Sequence, residues 1–590
     1  MKFKYPIEYI SEKNTISDNL IIDLELLETV ATADPTADPT ADPTADPTAD
    51  PTEMNNKSMY EILLNPQTKV GRKHLKEKWA KYYTTNVNYL KDTQNIFKNI
   101  SKIKFDDELV NETYDSWMNI KGDEEFVHKY QYIGWDKIKW LNYSIVFMHV
   151  LSIYNLSSPV INLLSPFALF LFPFFILKGL RVPITWSIYK IILIKQLKNH
   201  AIGQLFTSFH KVKPGQKLYI LFCAGMYIYN VYQNILSCYR FYQNSYFITN
   251  KFELLRQYLN YTIDKMKIYE DMIDEYDNYD KFKKDLNKNR EKLEEFLVVI
   301  KNIPKKCINF KNLFQIGKIM KYFYKIYDSE ELDEILQYSF EFNGYIDNLK
   351  GLEKNKNKLN YTKFINKKSN KVKTILKIKN VFHPAINNPV KNSINLNKNR
   401  IITGPNAAGK TTILKATILN TIFSQQVGMG YYDSCKLTPF HHIHCYINIP
   451  DTCGRDSLFQ AEARRCKEIL DIIHENPHEK HFCVFDELYS GTNPYEAISA
   501  AYGYLKYIIK NKNVKFLLTT HFIKLCQLLE KEKYIENNSM KTIINNDIPK
   551  YYYKIKKGIS KVKGGITVLK EIDYPKEIID SARNIINNIN

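Results

Sequence analysis

Arg400-Ile401-Ile402-Thr403-Gly404-Pro405-Asn406-Ala407-Ala408-Gly409-Lys410-Thr411-Thr412 opens on a short apolar run and leads into Thr412 to Ser424, which reads as a helix. The pattern is GxxxxGK[ST] between a strand and a helix. Glycine permits the tight backbone, and successive N–H groups and the helix N-terminus then face an anion. Lys410 is placed to neutralise the outer phosphates of a nucleotide and Thr411 to ligate magnesium. Gly404, Pro405, Asn406, Ala407, Ala408, Gly409, Lys410, Thr411 and Thr412 are therefore the candidate nucleotide-binding residues.

A second apolar run, Lys480-His481-Phe482-Cys483-Val484-Phe485-Asp486-Glu487, ends in two adjacent acids. In-line attack on a terminal phosphate needs a held metal and a positioned water, which assigns Asp486 to Mg²⁺ beside Thr411 and Glu487 to the water. A third run, Val514 to Thr519, ends at Thr520-His521. Three strands ending in polar residues beside one phosphate loop predict an α/β domain that binds and hydrolyses a nucleotide with Mg²⁺.

Working outward, 590 residues exceed one core and exclude a mini-protein, and 44% hydrophobic with 25% charged residues excludes wholesale disorder. The formal charge of +20, from 83 Lys plus Arg against 63 Asp plus Glu, suits nucleic acid or an anionic membrane. Lys, Asn, Ile and Tyr are all heavily used, as AT-rich coding produces whatever the function, so charge alone does not choose a partner. Nine scattered cysteines without a CxxC pair fit a reducing compartment, and charges interrupt Met1 to Leu20 where a signal peptide would need an apolar run.

Residues 1–32 read as a short appended segment, and 33–52 as an extended acidic linker of five Ala-Asp-Pro-Thr repeats. Residues 58–349 read as a mainly α-helical core and lever region, with charged helices after Asn250 suggesting long antiparallel, coiled-coil-like arms. Within it, 140–177 carries no Asp, Glu, Lys or Arg. Asn155 to Pro159 divides this run into two apolar arms of roughly 16 to 18 residues, which predicts a membrane hairpin with both ends cytoplasmic; the competing reading is a buried helix pair. Leu218 to Tyr239, also without formal charge, reads as a buried amphipathic helix. A basic connector, 350–373, leads into the C-terminal α/β domain, 374–590.

Thr403 to Thr411, Phe485-Asp-Glu-Leu-Tyr-Ser-Gly-Thr492 and Thr519-Thr-His-Phe522 resemble the TGPNxxGK[ST], DE[IL]xxGT and THF motifs of the MutS DNA mismatch-repair ATPases. Arg455 to Glu462 resembles that family's STFxxE signature, Phe382-His383-Pro384 and Val390-Lys391-Asn392 its HP and VPN segments, and Gly565-Ile566 with Pro575 to Arg583 its closing region. The resemblance implies a P-loop domain of ABC and MutS type. It implies that Ser457 faces the γ-phosphate bound by the other subunit of a homodimer, that Gln426 belongs to a Q-loop touching the nucleotide, and that His521 is a switch histidine, a catalytic residue like Glu487 and Lys410. Tyr60 to Arg72 resembles the opening of the MutS core domain.

The departures bear on function. No mismatch-reading GxFYE loop is present, about 57 residues precede the core-like opening, and Ser490 stands where repair members usually carry Arg. The apolar insertion is similar to that of shorter MutS-like proteins with membrane helices in the lever. Two functions are carried forward. In one, a dimeric ATPase moves levers on double-stranded DNA through basic surfaces, without reading mismatches. In the other, a membrane-anchored ATPase with its catalytic domain in the cytoplasm acts on a membrane or protein partner. His441, His442 and His444 near Cys435 and Cys445 lack zinc spacing, and the Phe340-Glu-Phe342 triplet lies too deep in the lever to wedge between bases.

Overall fold

The computed structural model describes residues 2–27, 57–181, 183–207, 209–304, 314–365, 374–447, 457–545, 548–560, 562, 569 and 573–588. They form two units: one holds Leu109–Asp264 and Asn289–Gln337, the other Lys2–Glu108, Lys265–Lys288 and Tyr338–Asn590.

The N-terminal residues are woven into the second unit rather than appended to it. Strand β1 (Lys13–Thr15) pairs antiparallel with β2 (Tyr82–Thr84). Phe3 is fully buried, with its ring 5.1 Å from Tyr338 and 5.8 Å from Phe282. Phe340 and Phe342 are buried in the same unit, as core residues. Helix α1 (Asp18–Asp23) is followed by a return in which the Glu25 and Leu26 carbonyls accept from Met59 N (2.9 Å) and Tyr60 N (3.3 Å), at the start of α2 (Met59–Leu64). These bonds close the chain on itself on either side of 28–56. The Ala-Asp-Pro-Thr repeats lie outside the described residues.

In the first unit, α3 (Ile145–Gly179) is one helix of 35 residues, so the expected turn at Asn155 to Pro159 is not there. Pro159, Pro166 and Pro173 follow at seven-residue spacing inside it. Each costs roughly 3 kcal/mol in a helix interior, yet the helix continues past all three. Helix α4 (Pro214–Ile273) runs for 60 residues, and its early part is not the buried helix the sequence suggests: Leu218, Tyr219, Phe222, Ile228 and Tyr232 are exposed. The packed part of this unit is aromatic, with the Phe126 ring stacked 4.0 Å from Tyr327 and Trp117 Nε1 donating to Asp333 Oδ1 at 3.1 Å.

The rest of the second unit is built on two sheets. β3 (Asn360–Phe364), β4 (Leu376–Val381), β5 (Asn392–Asn395), β7 (Met429–Gly430) and β8 (Ser434–Leu437) form one, in the order β5-β4-β8-β3-β7. The other has six strands, β13-β12-β6-β11-β10-β9, comprising β6 (Asn399–Thr403), β9 (His442–Tyr446), β10 (His481–Asp486), β11 (Val514–Thr520), β12 (Ile535–Asn545) and β13 (Ile548–Lys557). β9, β10, β11, β6 and β12 run parallel, and β13 alone is antiparallel. Parallel strands covered on both faces need continuous apolar runs, and Phe482 to Phe485 and Phe516 to Leu518 are fully buried. Helices α5 (Lys410–Val427), α6 (Leu458–Glu475) and α7 (Pro494–Ile508) belong to this domain.

Because the main-chain bonds at Glu25 and Leu26 already close the N-terminal return, replacing 28–56 by a short Gly-Ser connection is expected to keep the fold. Shortening a loop about fourfold relieves roughly 1.2 kcal/mol of closure entropy, so the thermal midpoint holds or rises slightly. A large loss of stability would assign 28–56 a packing role.

Candidate functional site

Parallel register sets the site. Thr403 at the end of β6 faces Thr520 of β11, and Thr519 faces Asp486 at the end of β10, so three strands deliver their polar ends at one edge. From β6 the chain turns through 404–409 into α5. Gly409 has φ +83°, and a Cβ there would stand 3.1 Å from the Tyr553 ring, so both conformation and space require glycine. Ala407, at φ +63°, is a non-glycine residue held in the left-handed region.

Lys410 is 5% exposed and turns back over its own loop, donating to the carbonyls of Gly404 (3.0 Å) and Pro405 (3.3 Å) and to Asn406 Oδ1 (3.2 Å). Its ammonium is also 3.3 Å from Glu487 Oε1. Thr411 Oγ1 donates to Asp486 Oδ2 at 2.6 Å, and Thr519 Oγ1 bonds the other oxygen of the same carboxylate. Burial pushes the Asp486 carboxyl up from its ordinary range, opposed by the two threonine hydroxyls. Next to it, Glu487 behaves in the opposite way: His521, with Nδ1 3.6 Å from Oε2, and then Lys410 hold its carboxyl down at about 2, so it is ionised near neutral pH. Glu487 and Tyr489 both have positive φ, +48° and +59°, which puts a strained corner directly after β10.

That corner is held by Glu462, a residue the sequence reading quoted within a motif but gave no role. It is 3% exposed on the second turn of α6; Oε1 accepts from Ser490 N and Oγ, and Oε2 from Gly491 N, each at 3.1 Å. Gly491 leaves room for α6, since a Cβ there would stand 2.6 Å from Leu458 Cγ. Tyr446 OH accepts from Tyr489 N at 3.2 Å.

A cavity of about 830 Å³ is lined by Asn406, Lys410, Thr411, Thr412, Asp486 and Glu487 together with Phe382, His383, Ile386, Val390 and Tyr553. Asn392 ties its far wall, donating to Tyr553 O at 2.8 Å and accepting from Ile555 N at 2.9 Å. No local signal marks Tyr553; β13 brings it to the glycine-rich loop only through sheet topology.

The other proposed site residues fall elsewhere. Gln426 lies sixteen residues beyond Lys410, at the far end of α5, and does not line the cavity. Its amide is taken up by Tyr60 OH (2.9 Å), Trp79 O (2.7 Å) and Tyr82 O (2.9 Å), which makes it a packing tie to the N-terminal residues. Ser457 is the exposed N-cap of α6, its hydroxyl accepting from Gln460 N, and Leu458 and Glu462 rather than Ser457 face this chain's own cavity. The histidine group stacks between β9 and β10, with His442 and His481 rings 4.7 Å apart and His444 Nε2 3.2 Å from His481 Nδ1. Gly565-Ile566 lie outside the described residues.

Comparison with known proteins matches residues 400–590 to the family described as MutS domain V. Residues 400–590 are thus a MutS-type domain, and the similarity to MutS proteins lies in this part of the chain. The chain is 29% identical over 219 residues to the DNA mismatch repair protein MutS of Persephonella marina, covering 36% of this chain and 25% of that protein. MutS of Staphylococcus epidermidis is 29% identical over 226 residues, with 36% and 25% covered, and MutS protein homolog 4 of Mus musculus is 31% identical over 228 residues, with 36% and 23% covered. The match thus spans about a quarter of the length of these relatives. The glycine-rich loop, the Asp486-Glu487 corner and α6 all fall in or beside this MutS domain.

Glu462 should govern the rigidity of the corner. In the Glu462→Gln variant one carboxylate oxygen becomes an NH₂ facing backbone N–H groups, leaving a buried donor unpaired at a cost of about 1–3 kcal/mol. The expected readout is faster amide exchange at Ser490 and Gly491 with a lowered thermal midpoint. Unchanged exchange at both amides would remove Glu462 from this role.

Proposed function

We propose that the chain is an ATP hydrolase that works as a dimer and couples nucleotide state to its helical region. The observation that carries this reading is the convergence of Lys410, Thr411, Asp486 and Glu487, from two segments of sequence, on one cavity large enough for a nucleotide, with His521 from a third segment 3.6 Å from Glu487.

Lys410 exchanges its carbonyl contacts for the oxygens of the terminal phosphates, and the backbone of 404–411 with the N-terminus of α5 supports their charge. Thr411 and Asp486 present adjacent oxygens that fit Mg²⁺, which supplies charge neutralisation on the β and γ oxygens when bound. Glu487, ionised and fixed by its backbone corner, orients the attacking water, and His521 holds that carboxylate in place. The apolar side of the cavity, Phe382, Ile386 and Tyr553, accepts the base. Ser457, exposed at the start of α6, is available to the nucleotide of a second copy, the basis for proposing composite sites. Lys410→Ala should abolish nucleotide binding or turnover, whereas Glu487→Gln should retain binding and slow hydrolysis by orders of magnitude. Full turnover in the glutamate variant would contradict this assignment.

For what the levers act on, two features support a membrane in addition to DNA contacts through lysine-rich surfaces. Residues 137–252 hold twelve Lys and Arg and not one Asp or Glu. Within that stretch Val146, Val150, Ile161, Leu171, Phe172, Phe175, Trp186, Phe206 and Leu218 are exposed, and Ile145–Leu164 is long and apolar enough to cross a bilayer, with a mean hydropathy of 1.3 and 17% of it buried. We place this region at an anionic membrane, with α3 and the early part of α4 as its apolar elements and the ATPase domain in the cytoplasm. Any DNA binding then rests on phosphate contacts, which carry no base information. Carbonate extraction should leave the protein in the membrane pellet. Binding to duplex DNA should weaken steeply with salt and differ little between perfect and mismatched duplex. Release into the carbonate supernatant contradicts the membrane reading, and a tenfold mismatch preference, about 1.4 kcal/mol, would restore mismatch reading.

A further inference from the structure

Two acids in the N-terminal segment grip the two helices that carry the site. Asp23 is 3% exposed, and its Oδ2 accepts from Ile447 N at 3.2 Å and from Arg465 Nη2 at 3.4 Å. Arg465 also donates from Nε to Cys445 O at 3.2 Å. It sits on α6 three residues after Glu462, and residues three apart neighbour each other on a helix surface. Two residues after Asp23, Glu25 has φ +53° and its Oε1 accepts from Lys415 Nζ at 2.8 Å. Lys415 is on α5, five residues after Lys410. Glu25 and Lys415 also act electrostatically on His383, a residue of the cavity wall.

The same segment is fixed at its other side. Glu25 O and Leu26 O accept from the first amides of α2, and Tyr60 of α2 bonds Gln426 at the far end of α5. Burying a carboxylate costs several kcal/mol unless it is paired with good geometry. Here the pairing partner is on a helix that reaches the site, so the charge positions as well as packs. At neutral pH the pair is intact, because burial raises the Asp23 carboxyl only to about 6 against the pull of Arg465 and the Ile447 amide.

We propose that residues 18–27 are a strut that sets the spacing of α5 and α6, making Asp23 and Glu25 positioning residues for the Glu462-held corner that carries Glu487. The proposal rests on the ATPase reading for its kinetic consequence but not for its structural one. Movement of α6 against α5 must carry or strain this strut, which also bonds the core helix α2.

The test uses the full chain and four variants: Asp23→Asn, Glu25→Lys, Lys415→Glu and the double reversal Glu25→Lys with Lys415→Glu. Amide exchange without nucleotide, at 457–466 and 487–492, should speed at least fivefold in each single variant and return to within twofold of wild type in the double reversal. This arm reads the strut even in a chain that hydrolyses no ATP. Where the wild type does hydrolyse ATP, each single variant should lose at least fivefold in kcat with KM for ATP within twofold, and the double reversal should recover kcat. Folded single variants with wild-type exchange would overturn the proposal, as would a double reversal that leaves exchange fast. An inactive wild type with the expected exchange pattern would count against the ATPase reading and for the strut.

Discussion

Parallel pairing of β6, β11 and β10 is the constraint on which the site depends. The register that sets Thr403 against Thr520 and Thr519 against Asp486 stops three apolar strands at the same level, where their next residues are polar. The bonds from Thr411 and Thr519 to the two Asp486 oxygens then join the start of α5, the end of β10 and the end of β11 through one carboxylate. A shift of one residue in either pairing would separate them and exchange the side chains packed on the two covered faces. The continuous burial of Phe482 to Phe485 and Phe516 to Leu518 makes such a shift costly.

Charge is distributed over this edge so that its two acids differ. Asp486 is desolvated and satisfied by hydroxyls, while Glu487 is held ionised by His521 and Lys410. Adjacent acids with opposite shifts suit separate tasks, one at a metal and one at water. The positive φ of Glu487 and Tyr489 stores strain in the turn, and three bonds to Glu462 hold it there. The MutS domain thus reaches from α6 to the strand ends through a single buried acid.

Much of the site was legible because its residues lie within short stretches of sequence. Asp486, Glu487 and His521 close apolar runs that signal a strand end, and Lys410 and Thr411 close the glycine-rich loop that follows one. Tyr553, Asp23 and Glu25 were not legible, because sheet order and the N-terminal return bring them in from far along the chain. Gln426 shows the same long-range effect: its neighbourhood fits a motif, and the fold brings its amide to Tyr60, Trp79 and Tyr82. In the helical region, local rules placed a turn at Pro159, and the helix passes through it. Ending a helix there would free several backbone groups in an apolar stretch, whereas continuing forfeits about one bond per proline. Nearby, Ser157 Oγ donates to the Tyr154 carbonyl at 3.3 Å.

The central claim is that this edge holds a nucleotide triphosphate in a hydrolytic arrangement. A crystal structure of the full chain carrying Glu487→Gln, grown with ATP and Mg²⁺, tests it most directly. The account predicts intact ATP in the cavity, with the terminal phosphate against Lys410, the metal between Thr411 and Asp486, and the residue at 487 facing a water in line with the γ-phosphate. An empty cavity at saturating ATP, or nucleotide bound away from Lys410 and Asp486, would contradict it.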